Sequence, residues 1–145
     1  MASRSRPPSA SKSWPIADLP GLSREYQTGL EKLGILTTEH LLQQAKTPAQ
    51  KEAIAIQLRT SVNHVTKWVA LADLARIPSV GCVHCGLLLH AGIASPQQLV
   101  QTPLPRLHHQ LLKLHVAMMQ SKDQCPSLDE VVHWQAQARQ ITGHR

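Results

Sequence analysis

The sequence predicts an all-α protein of about eight helices, built from one unit used twice with additional packing helices. Apolar residues recur at i, i+3, i+7 and i+10 in Val65, Trp68, Ala72, Ala75 and again in Val131, Trp134, Ala138, Ile141, the spacing of an amphipathic helix. The stripe Leu104, Leu107, Leu111, Leu114, Met118 extends the same pattern, and no stretch sustains the period-two alternation of a strand. The chain also matches itself. A shift of 58 lays Leu19-Pro20-Gly21-Leu22 on Ile77-Pro78-Ser79-Val80, and Leu30, Gly34, Ile35, Leu41 on Leu88, Gly92, Ile93, Leu99. A shift of 66 lays Ser61, Val65, Trp68, Ala70, Ala72 on Ser127, Val131, Trp134, Ala136, Ala138, so the second unit has gained eight residues.

Residues 1–14 read as a flexible basic tail, since this Ser-, Pro- and Arg-rich stretch has little to bury. A single all-helical domain is expected over 15–141, with repeat one at 16–75, repeat two at 76–141 and a short C-terminal tail at 142–145. Each unit opens with an apolar residue, Pro and a tight turn, followed by a helix that stops at Gly34 or Gly92, where a positive-φ cap belongs. A second short helix begins at Thr37 or Ser95. Ser95 with Gln98, Thr47 with Gln50 and Ser127 with Glu130 have capping-box spacing, and Pro48 and Pro96 suit first helical turns. With 42% hydrophobic residues but no Phe, one Tyr and three Trp, the core must be mainly aliphatic.

The stretches LPGLSREYQTGLEKLGILTTEHLL and IPSVGCVHCGLLLHAGIASPQQLV resemble the helix-hairpin-helix motif, in which a Pro-Gly turn joins two short helices. Across residues 16–141 the chain resembles a bacterial family of unknown function made of tandem helix-hairpin-helix domains. The resemblance identifies a family and implies no activity. In DNA-binding members of the wider class, two glycines one residue apart precede a basic residue, and hairpin N–H groups meet a phosphate. Both units depart from that pattern. Gly21-Leu22-Ser23-Arg24 keeps one glycine and the base, whereas Ser79-Val80-Gly81-Cys82 keeps the other glycine and loses the base. Only Gly21, Ser23 and Arg24 remain as a candidate nucleic-acid site, and the alternative is that the glycines merely let each turn form.

The net charge is +6, and Arg4, Arg6 and Lys12 supply half of it within the first fifteen residues, leaving a weakly basic body. The alternative of DNA binding would therefore lean on the tail. The expected principal function is protein–protein contact, by a partner or a second copy, on the second unit. There, Arg24, Glu25, Glu31, Lys32, Glu39 and Lys46 are matched by Cys82, Val83, Leu89, His90, Gln97 and Leu104. The candidate interaction face is thus Val80, Cys82, Val83, Cys85, Leu89 and His90. A second explanation stays open, namely that the eight inserted residues near 105–126 fold back over this face.

Cys82-Val83-His84-Cys85 is a C-x-x-C at a helix start, where free N–H groups should lower a thiol pKa and leave both thiols reactive. Small apolar cysteines at a packing surface are the favoured reading of the pair, and no cofactor is expected. Zinc or an iron–sulfur cluster would need Cys82, Cys85 and Cys125 with a histidine such as His84, His90, His108 or His109. Nothing resembles a paired-carboxylate site, a nucleophile elbow or a P-loop, so no enzyme is expected. No apolar run approaches a membrane span or a secretory leader, and the expectation is a soluble cytoplasmic protein.

Overall fold

The computed structural model describes residues 11–117 and 126–143. These residues form a short 3-10 turn at Ile16–Asp18 and eight α-helices, with no strand among the described residues. In order the helices are α1 (Arg24–Lys32), α2 (Thr38–Gln44), α3 (Pro48–Leu58), α4 (Val62–Ala75), α5 (Gly81–His90), α6 (Pro96–Gln101), α7 (Leu104–Ala117) and α8 (Leu128–Thr142). The four helices of the first half recur in the same order in the second. Local chemistry accounts for their ends. Ser23, Thr37, Thr47, Ser61, Ser95 and Ser127 each accept a hydrogen bond from a first-turn backbone N–H, and Thr47–Gln50 and Ser127–Glu130 close full capping boxes.

The two halves match in their backbone hydrogen bonding as well as in their sequence. Gly34 (φ 84°) and Gly92 (φ 95°) end α1 and α5 in the left-handed region. Just beyond them the Ile35 N–H donates to Leu30 O at 3.0 Å and the Ile93 N–H to Leu88 O at 2.9 Å, the same bond displaced by 58 residues. Into the following turn the halves place different side chains for one task. His40 Nδ1 accepts from the Leu36 N–H at 3.2 Å, while Gln98 Oε1 accepts from the Ala94 N–H at 2.9 Å.

The core is a continuous aliphatic cluster anchored by Trp68 and Trp134. α4 packs against α2 and α3, α8 against α6 and α7, and the α4–α5 contact joins the halves. Equivalent aromatic contacts support each tryptophan. Tyr26 lies 5.2 Å from Trp68, and His84, which the shift of 58 matches to Tyr26, lies 5.0 Å from Trp134. Along α7 the expected stripe is corrected. Leu107, Leu111 and His115 are buried at i, i+4, i+8, while Leu104 and Leu114 are half-buried and Met118 lies outside the described residues. His115 is 6% exposed, and neither ring nitrogen has a hydrogen-bond partner among the described residues.

The tail assigned to residues 1–14 also needs correction at its end, because Ser11–Trp14 is hydrogen-bonded to the body. The Lys12 N–H donates to Arg76 O at 2.9 Å, and Trp14 and Thr38 exchange bonds, with Trp14 N–H to Thr38 Oγ at 3.0 Å and Thr38 N–H to Trp14 O at 2.8 Å. The Trp14 indole N–H donates to Ala75 O at 2.7 Å, at the junction between the halves. The polar make-up of the stretch hid one large anchor, since a single tryptophan offsets the ordering cost of its neighbours.

Candidate functional site

The turns that lead into α1 and α5 differ in the position of their left-handed residue. In the first it is Gly21 (φ 75°), and in the second it is Gly81 (φ 51°), two alignment positions further on. Space around Gly21 is open, whereas a Cβ on Gly81 would stand 2.9 Å from the Trp14 ring. The amide of Ser79 is taken as well, donating to Gln137 Oε1 at 2.9 Å. An indole and a glutamine therefore occupy the approach that a phosphate would need at the second turn.

At the first turn, Gly21 and Arg24 are exposed and Ser23 caps α1, its Oγ accepting from the Tyr26 N–H at 3.2 Å. A small cleft of about 70 Å³ opens there, lined by Gly21, Lys67 of α4 and His90 of α5 among others. Sequence separation hides this grouping. Lys67 and His90 lie in other helices and reach the turn only because α4 and α5 pack beside it.

The candidate interaction face splits on folding. Val80 is 1% and Cys85 0% exposed, so both are core residues and leave the proposed surface. Val80 sits in the turn that leads into α5, its N–H bonded to Ile77 O at 3.0 Å, and Cys85 is turned inward by the pitch of the helix. At 100° per residue Gly81, Cys85 and Leu88 share the inner side, while Val83, Leu87 and His90 share the outer one. Symmetry with exposed Arg24 and half-buried Gln27 overestimated exposure at Cys82 and Cys85, because short apolar side chains at those positions sink where long polar ones reach outward. Val83 is 84% exposed, His90 is exposed, and Cys82 and Leu89 are half-buried. Within the suggested cover of residues 105–126, α7 touches α5 but leaves Val83 84% exposed, and residues 118–125 lie outside the described residues.

The thiols are the reverse of the reactive pair expected. Burial pushes Cys82 up to about 11, with Asp18 adding to the rise, and burial pushes Cys85 up to about 12, with Cys82 adding to it. Desolvation of a thiolate thus outweighs the helix N-terminus. Cys85 Sγ lies 3.8 Å from Cys82 O, a weak S–H contact. Cys125, the third candidate metal ligand, lies outside the described residues. Among the described residues no three His, Cys, Asp or Glu side chains are grouped to hold a metal ion. The neighbouring His84 is held below its ordinary pKa by burial, with Glu130 opposing the shift.

Two positions were not singled out by sequence reasoning. Gln135 is 5% exposed on α8, and its Nε2 donates to Leu99 O at 3.1 Å and Thr102 O at 2.8 Å. Trp14 is the other. A polar residue beside Trp134, where the first half has Val69 beside Trp68, was the available signal for Gln135. No helix among the described residues is long and apolar enough to cross a membrane.

No curated protein and no solved structure matches the chain. One family model, described as a domain of unknown function (DUF4332), matches residues 20–141, from the turn before α1 through the last turn of α8. That span holds both halves of the fold, and the chain accordingly belongs to the DUF4332 family.

Proposed function

We propose that this chain is a non-enzymatic binding module of two fused helix-hairpin-helix units, which engages a protein through the outer face of α5. The observation that carries the reading is Val83, a large apolar side chain 84% exposed on a helix with no Asp, Glu, Lys or Arg. Its counterpart in the first half is Glu25, and the flanking positions Arg24, Glu31 and Lys32 are charged there, so the uncharged face belongs to the second half alone. Half-buried Leu87 extends the apolar surface from Val83 toward His90. The test is a pull-down from native lysate, with and without nuclease, comparing the unmodified chain with Val83→Glu. Capture that survives nuclease and is lost in the variant supports the reading. Equal capture by both chains overturns it. Sedimentation of the same pair reports whether the partner is a second copy.

One observation favours a second reading, nucleic-acid binding at the first hairpin. Lys67 and His90 border the cleft at Gly21, and Ser23 and Arg24 follow Gly21 along the chain. Arg24→Glu and Lys67→Glu should then both weaken oligonucleotide binding, and binding should fall steeply with salt. Lack of binding at low salt, or indifference to both substitutions, removes this reading.

A further inference from the structure

The halves differ where the second helix of each meets the fourth. In the second half Gln135 crosses this junction and ties α8 to the carbonyls at the end of α6. The shift of 66 that pairs the two tryptophans puts Val69 at the equivalent place, and valine has no donor to offer. The corresponding junction of α2 with α4 holds a cleft of about 440 Å³. Leu42, Ala45 and Val69 give it an apolar floor. Its rim is cationic: Lys46 and Lys51 stand at the α2–α3 corner, and Lys12 and Arg76 stand beside the end of α4.

Two acids, Glu39 and Asp73, also line the cleft, which leaves the cations in excess by two. Arg76 is already engaged, with its guanidinium 2.7 Å from Asp73 Oδ1 and 3.0 Å from Ser11 Oγ. Lys12 lies over the Trp14 ring at 4.8 Å. Lys46 and Lys51 form no ion pair among the described residues. We propose that this cleft binds a small organic anion with an apolar body, its charged group between Lys46 and Lys51 and its body on Leu42 and Val69. A ligand pocket of this size with an apolar floor and a few charged groups has the make-up of small-molecule sites. A polynucleotide backbone would leave the floor unused, and a neutral hydrophobe would leave the lysine pair unanswered.

The probe is 8-anilinonaphthalene-1-sulfonate, read by fluorescence against the full-length chain, with uncharged N-phenyl-1-naphthylamine as its partner. Saturable one-to-one binding of the sulfonate is expected at low salt. The double substitution Lys46→Glu, Lys51→Glu should weaken the sulfonate roughly tenfold and leave the uncharged probe within about twofold. Val69→Gln should weaken both probes, because its amide reaches toward the α2 carbonyls of Leu41 and Gln44 as Gln135 reaches toward α6. Far-UV circular dichroism and a melting curve accompany each variant, and Lys46→Gln with Lys51→Gln replaces any variant that loses its helical signal. The proposal is overturned by the absence of saturable binding, by equal sulfonate affinity in the wild type and the charge-reversed chain, or by binding that Val69→Gln leaves unchanged.

Discussion

Replacing Gln135 by Leu probes the second-half junction at nearly constant volume. The substitution removes the Nε2 donor that serves Leu99 O and Thr102 O, and it does so at a position 5% exposed to water. Leu99 O keeps a long bond from the Thr102 N–H at 3.4 Å, so the main loss falls on Thr102 O. Each hydrogen bond lost is worth about 0.5–1.5 kcal/mol net, and Thr102 O, only part-buried, adds the lower end of the about 1–3 kcal/mol that an unpaired acceptor costs when buried. The apolar surface that Leu buries offsets part of this, and a destabilisation of about 2 kcal/mol results. For a chain of this length that corresponds to a melting point lower by roughly 8 °C. Urea unfolding followed by circular dichroism gives both the midpoint and the slope, and the slope should not change. Gln135→Glu should be worse at neutral pH, since a carboxylate would face two carbonyl oxygens, and should recover as pH falls and the acid gains a proton to donate. A loss below about 0.5 kcal/mol for Gln135→Leu, or a Gln135→Glu chain as stable as the wild type at neutral pH, would refute the tie between α6 and α8.

Three further outcomes follow from the structure. Trp14→Ala removes the indole N–H bond to Ala75 O and the ring against Gly81, and should cost about 2–3 kcal/mol, near the lower end for tryptophan truncation because the ring is only half-buried; unchanged urea unfolding would return residues 11–14 to the tail. In a Cys125→Ser chain, labelling of Cys82 at pH 7 should be slower by about a hundredfold than that of an ordinary thiol, because a rise from 9.0 to about 11 removes two decades of thiolate. Rapid labelling of the folded protein would contradict the burial of the pair. His84→Tyr installs the residue that stands against Trp68 in the first half. Burial lowers the His84 pKa, so its contribution to stability is present above the unfolded value of 6.5 and lost as pH falls through the lower folded value. The tyrosine variant should lose less stability than the wild type between pH 8 and pH 5, and identical pH profiles would count against that assignment.

Much of the fold was legible because it is encoded by short-range chemistry. Thr47–Gln50 and Ser127–Glu130 cap their helices by bonds spanning three residues, and Gly34 and Gly92 end theirs by a backbone conformation that glycine adopts without strain. The periodic stripes through Trp68 and Trp134 fixed which helical faces turn inward. The candidate sites were less legible. Comparing the halves located α5 as the place where charge disappears, but it misjudged Val80 and Cys85, because equivalent positions in a repeat share backbone direction and not solvent exposure. The reactive-thiol expectation failed for a related reason. It weighed the helix terminus, which is local, without the desolvation that packing imposes.

By itself, the amino-acid sequence determined the all-helical class, the order of the helices, their caps and their doubling within one chain, all properties set within a few residues or by comparing the chain with itself. The tertiary structure decided which groups meet across long separations. Only packing brings Trp14 to Ala75 and Gly81, Lys67 and His90 to Gly21, and Gln135 to the end of α6. It alone leaves a cleft in one half where a glutamine bridges the other. Such meetings depend on how helices are placed against one another, and a pattern that repeats every three or four residues specifies a face without specifying what that face will touch.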